Sequence, residues 1–245
     1  ITDAMVREVT LNARGRATGV HYIDRTTRLD EHVSARVVIL AASALESARI
    51  LLNSKSGLFP DGLGNGSGLV GKYIMDTVGA GVGGQIPALE NTPAHNTDGA
   101  SAMHMYMPWW LYQEQARGRL DFARGYHIEF GGGRRMPGFG FMGGLAPFTE
   151  GSYGARFKDD CRRYYGSFMS FDGRGEMIPN ADCYCEIDSD GVDQWGIPTL
   201  EFHWKWSEHE RNQARHMQHT FASIIDAMGG TVTSTIHDDG ARAIA

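Results

Sequence analysis

The 245-residue chain has no apolar run of about 18 or more residues, so no helical membrane span is expected. It has only three cysteines, Cys161, Cys183 and Cys185, and no CxxC pair, which removes the usual zinc and disulfide-framework spacings. Cys183 and Cys185 fall on one face of a strand, where bonding to each other is awkward, and all three are read as thiols in a core. Lysine and arginine number 23 against 29 acidic residues, a net charge of -6. With no dense basic stripe, a nucleic-acid partner is not expected, because phosphate neutralisation needs clustered cations. The opening ITDAMVREV lacks the basic and apolar regions of a targeting segment. No GxSxG is found, so hydrolysis by a serine nucleophile has no support.

What is present fits a globular core: 42% hydrophobic and 21% charged residues, in a length that suits one large domain or two small ones. Residues 6–11 and 17–23 are β-type runs around the turn residues Asn12 and Gly15, which predicts a hairpin. Residues 35–41, ARVVILA, are apolar without alternation, which predicts a central strand covered on both faces. Ser43 and Glu46 have capping-box spacing, so a helix is expected from Ala44 to Asn53 or Ser54. Residues 57–71 are punctuated by glycine, Pro60 and Asn65 and predict a long ordered loop. Composition then shifts towards glycine, methionine and aromatics, and a domain change is expected near Asp76.

Further strands are expected in SAMHMYM (101–107), GYHIEF (125–130), YGSFMSFD (165–172), ADCYCEID (181–188) and LEFHWKW (200–206). A helical turn or two is expected over 156–165. Ser207 and Glu210 form a second capping box, opening a helix that buries Met217, Phe221, Ile224, Ile225 and Met228 and stops at Gly229 and Gly230. The start at Ile1, strand-like within five residues, and the end after DDGARAI suggest an internal part of a longer protein.

Several places could carry chemistry. The turn after 37–40 offers free helix N-H groups beside the small Ala41, Ala42 and Ser43, where a phosphate or adenine could approach, or it is a plain β-α connection. His127 and Glu129 share one strand face and could do acid-base work or form a structural polar pair. His216 and His219 are spaced as a helical metal pair but lack further ligands, and read as solvent-facing. Asp188, Asp190 and Asp193 resemble a calcium loop without its glutamate and read as a polar turn. The rings of MPWWLY and FHWKW could line a sugar site or fill a core.

The ordered segments VREVTLNARGRATGVHYID, ARVVILAASALESARILLNS, GLGNGSGLVGKYIMD and GEMIPNADCYCEIDSDGVDQWGIPTLEFHWKWSEHER resemble the middle of a glucose-methanol-choline oxidoreductase, across nearly the whole chain. The resemblance implies a mixed α/β, α+β fold. It places a partial Rossmann-like FAD-binding domain at 1–76, a substrate-binding domain with an antiparallel sheet and flanking helices at 77–206, and a helix returning towards the FAD domain at 207–245. It implies FAD as cofactor, an alcohol or sugar as substrate, and hydride transfer to the flavin, with an electron acceptor it does not identify. Val6 matches the position whose backbone meets the adenine, and Ala41, Ala42 and Ser43 match an A-A-G turn near the ADP half, with serine in place of glycine. Where the family has Asp-His after GKYIM, this chain has Asp76-Thr77. The GxGxxG clamp and the catalytic histidine are expected outside these residues. The alternative is a non-catalytic module that holds a carbohydrate or a partner.

Overall fold

The computed structural model describes residues 1–93, 105–134 and 141–244. Residues 101–104 of SAMHMYM therefore lie outside the described residues, as does 245. In chain order the elements are β1 (Ala4–Leu11), β2 (Ala17–Asp24), β3 (Asp30–Ser34), α1 (Ala44–Asn53), β4 (Thr77–Gln85), β5 (Met105–Met107), α2 (Tyr112–Ala116) and β6 (Tyr126–Gly132). They continue as α3 (Phe141–Thr149), α4 (Gly154–Tyr164), β7 (Phe168–Glu176), β8 (Tyr184–Val192), β9 (Pro198–His203), α5 (Glu208–Ala227), β10 (Thr231–Val232) and α6 (Gly240–Ala243). Two compact units result, Ile1–Met75 with Pro179–Lys205, and Asp76–Ile178 with Trp206–Ala245. The sequence reading runs 77–206 together, whereas the β8-β9 segment packs with the first unit.

In the first unit, β1, β2 and β3 form an antiparallel sheet in that order. The β1-β2 turn forms as its residues suggest: the Asn12 side-chain oxygen accepts from the N-H groups of Arg14 at 2.9 Å and Arg16 at 3.1 Å. Strand β3, sequence DEHVS, is polar and mostly exposed, so no hydrophobic pattern announces it.

The run 35–41 is not the central strand its composition predicts. It continues past β3 without a ladder, leaving Val37 and Ile39 72% and 83% exposed. An apolar run becomes a buried strand only when neighbours supply hydrogen bonds and cover, and among the described residues only Ala35 bonds to a strand, its N-H donating to the Thr18 carbonyl at 2.8 Å. Helix α1 spans the expected residues, but Ser43 does not cap it. With φ 70 and ψ 169 the serine makes no side-chain cap bond, because a capping hydroxyl needs extended backbone to face the first-turn N-H groups. Glu46 turns to Arg49 instead, at 3.3 Å.

In the second unit, five strands form an antiparallel sheet in the order β10-β4-β7-β6-β5. Every strand pair among the described residues is antiparallel. Helix α5 lies against this sheet through Met217, Phe221 and Ile225, all fully buried. Glycines make the close approach possible: a Cβ at Gly84 would meet the Ile225 side chain at 2.7 Å, and one at Gly173 would meet the Met217 sulfur at 2.5 Å. The second capping box forms, with Glu210 accepting the Ser207 N-H at 2.7 Å and Ser207 accepting from the His209 N-H. Glu210 also accepts the Ile178 N-H at 2.9 Å. Burial works to raise its pKa, but the bonds from Ile178 and Ser207 prevail and hold it below the usual carboxylate value.

Candidate functional site

The first candidate region is an open groove of about 740 Å³ in the first unit. Val6 and Val20 come from β1 and β2, Ile50 from α1, and the unladdered run 37–42 completes the wall. Three of the residues picked out in the sequence, Val6, Ala41 and Ala42, therefore line one surface. Ser43 is not part of that lining and stands at the start of α1, in a backbone region populated almost entirely by glycine. The walls are aliphatic and the two alanines small, which suits a flat heteroaromatic ring. Arg49 on the rim is already committed: its Nη2 donates to Asp193 at 2.8 Å and to the Ile197 carbonyl at 3.0 Å, and its Nε donates to the Pro198 carbonyl at 2.7 Å. The groove fits the apolar end of a dinucleotide better than its phosphates.

That commitment explains the D-x-W-G-I-P turn. Asp193 also accepts N-H bonds from Trp195 at 2.8 Å and Ile197 at 3.0 Å, while the Arg28 guanidinium lies 3.9 Å from the Trp195 ring centroid. Desolvation raises the Asp193 pKa, but Arg49 and the two N-H groups outweigh it and leave the carboxyl below its usual range. The polar turn is confined to the residues after β8, which itself runs on to Val192. Cys183 and Cys185 are buried free thiols, as read, and Cys161 is a free thiol only partly covered.

The second region is a polar face of the five-stranded sheet. His127 and Glu129, two residues apart on β6, are brought together, with His127 Nε2 at 3.2 Å from a Glu129 oxygen. Register places Arg174 opposite His127 and Asp172 opposite Glu129, and Arg174 Nε lies 3.7 Å from the other Glu129 oxygen. Neither β7 residue is signalled in the sequence, because cross-strand neighbours depend on a pairing made more than forty residues away. The Tyr106 ring stands 5.5 Å from the His127 ring. At one end of this face a cleft of about 530 Å³ is lined by Trp109, Tyr126, His127, Arg174 and Glu176 among others.

The helical histidines separate. His219 is exposed as expected, but His216 is half-buried among Trp109, Phe122 and Tyr126. The sequence misses this because the covering rings arrive from 109–126, far along the chain. Desolvation pushes the Tyr126 phenol up to about 12 and holds His216 below 6.5. The phenol and the ring share a hydrogen bond at Nδ1, 2.8 Å long, whose donor depends on the imidazole tautomer.

No protein-family model matches the chain. It is 25% identical over 237 residues to the 2-methyl-1,2-propanediol dehydrogenase of Mycolicibacterium austroafricanum, covering 95% of this chain and 41% of that protein. It is 24% identical over 234 residues to the fructose dehydrogenase large subunit of Gluconobacter japonicus, covering 94% and 40%. A shorter stretch of 85 residues is 41% identical to the paromamine 6'-oxidase of Streptomyces fradiae, covering 34% of this chain and 16% of that protein. The chain thus spans about two fifths of the first two relatives, and all three are oxidoreductases by name.

Proposed function

We propose that this chain is part of a glucose-methanol-choline type oxidoreductase that oxidises an alcohol or sugar hydroxyl with FAD. The carrying observation is similarity along 95% and 94% of the chain to two proteins named as dehydrogenases, one of a diol and one of fructose. The groove lined by Val6, Ala41 and Ala42 supports a place for the adenine end of the cofactor. When bound, the flavin supplies a hydride acceptor.

The residues of this chain bind and orient. Ala41 and Ala42 admit close approach to the backbone, and the uncapped first turn of α1 leaves N-H groups for a polar part of the ligand. In the second unit, Glu129 can accept from a substrate hydroxyl, with Arg174 and His127 fixing its direction. Expression of the complete reading frame tests the reading: flavin absorbance and alcohol-dependent dye reduction are expected. Ala42→Phe, which fills an exposed part of the groove, should lower flavin retention severalfold. A complete product that carries no flavin overturns the assignment.

A second reading, a carbohydrate-holding module, is favoured by the cleft beside the part-exposed Trp109, since flat rings stack on apolar sugar faces. Calorimetry of the chain against a sugar panel separates the two. Sugar binding by a complete product that lacks flavin selects the module.

A further inference from the structure

We propose that Glu186, Glu201 and His203 form a binding site for a divalent transition ion, zinc being the best match, on the β8-β9 hairpin. The register pairs Tyr184 with His203 and Glu186 with Glu201, so the three ligating side chains project from one face. Their ligand atoms all lie within 4.8 Å of one another, and His203 Nε2 is already 3.2 Å from Glu186 Oε1. Around a tetrahedral zinc with bonds of roughly 2.0–2.1 Å, ligand atoms stand about 3.3 Å apart. One edge of that tetrahedron therefore exists, and closing the others needs only rotation of exposed carboxylate side chains.

A second observation points to a cation. Two carboxylates directly opposite on paired strands repel, and among the described residues the exposed Glu201 carboxylate has no side-chain hydrogen bond or ion pair to relieve it. Lys72, bridged to Tyr184 through the backbone, has its ammonium held 3.5 Å from the centroid of the Tyr184 ring. Tyr184 in turn stacks on His203, with centroids 4.2 Å apart and planes 18° from parallel. That stacking fixes the imidazole plane before an ion arrives. One imidazole and two carboxylates suit zinc or a similar first-row ion. Calcium is disfavoured, because it takes six to eight oxygen ligands. Three protein ligands leave a fourth position to water, and the ion joins β8 to β9.

The site uses no part of the oxidoreductase reading, so its test stands apart. After removal of metals with a chelator, titration of the chain with zinc chloride in a calorimeter should show one equivalent bound with micromolar affinity. His203→Ala and Glu201→Gln should each weaken it at least tenfold, and His219→Ala, on exposed α5 surface, should leave it unchanged. Glu201→Gln should also raise the melting temperature of the metal-free chain while shrinking the rise that zinc gives the wild type. A purely structural role for Glu201 does not produce that reversal. Absence of binding up to millimolar zinc, or equal binding by the His203→Ala and Glu201→Gln variants, overturns the proposal.

Discussion

Arg49 Nη2 stands 2.8 Å from the Asp193 carboxylate, tying α1 to the turn after β8 across 144 residues of sequence. The two side chains are only 11% and 19% exposed, so neither charge is well hydrated without the other. Asp193→Asn keeps the shape, weakens the N-H bonds from Trp195 and Ile197, and leaves a guanidinium short of its counter-charge. The expected loss is about 3 kcal/mol, near the lower end for breaking a buried pair. Urea unfolding measures it, and a loss below about 0.5 kcal/mol means the pair is not holding the turn.

The same carboxyl sets an acid limb of stability. Its folded pKa lies below the reference value of 3.8, so its contribution is complete above that pH and is lost as pH falls through the folded value. Glu210, lowered from 4.5, adds in the same sense. Thermal melts between pH 5 and 2 should therefore steepen below about pH 4, and Asp193→Asn should flatten part of that slope. An identical slope in the variant contradicts the assignment.

His216 acts higher on the pH scale. Desolvation favours its neutral form in the fold, so its folded pKa lies below 6.5. Its contribution is complete above 6.5 and is lost as pH falls through the folded value, because protonation places a charge among Trp109, Phe122 and Tyr126. His216→Gln, whose amide can accept from or donate to the Tyr126 hydroxyl, should remove this limb. If wild type and variant show the same stability ratio at pH 7.5 and pH 5, His216 does not carry it.

Ser43 occupies φ 70 and ψ 169, a region that costs a non-glycine residue roughly 1–3 kcal/mol. Ser43→Gly relieves this strain and gives back about 0.5–1 kcal/mol in unfolded-chain entropy. A net gain of roughly 1 kcal/mol is expected by urea unfolding. The exposed serine has no cap bond to lose, so a destabilised glycine variant shows that the backbone there is not strained.

The two S-x-x-E boxes show where sequence reading stops. Ser207 and Glu210 cap α5 as read, whereas Ser43 and Glu46 carry the same spacing and do not. The difference is one backbone angle: Ser207 is extended at φ -83, and Ser43 is turned to positive φ. Long periodic elements such as α5 and the β1-β2 hairpin were legible because their own residues specify them. Strand β3 and the burial of His216 were not, because neighbours from elsewhere in the chain decide them. At the candidate sites, His127 and Glu129 could be paired from strand alternation. Arg174 and Asp172 could not, since nothing in either segment states the register between β6 and β7.

The run 37–40 has a practical consequence. An apolar stretch whose backbone groups meet no strand among the described residues is a template for strand addition, and Val37 and Ile39 give an incoming segment a surface to cover. A solution of this chain is therefore expected to self-associate as its concentration rises. Acidic substitutions at Val37 and Ile39 are the direct route to a soluble preparation for every measurement proposed above, except those on the groove they line.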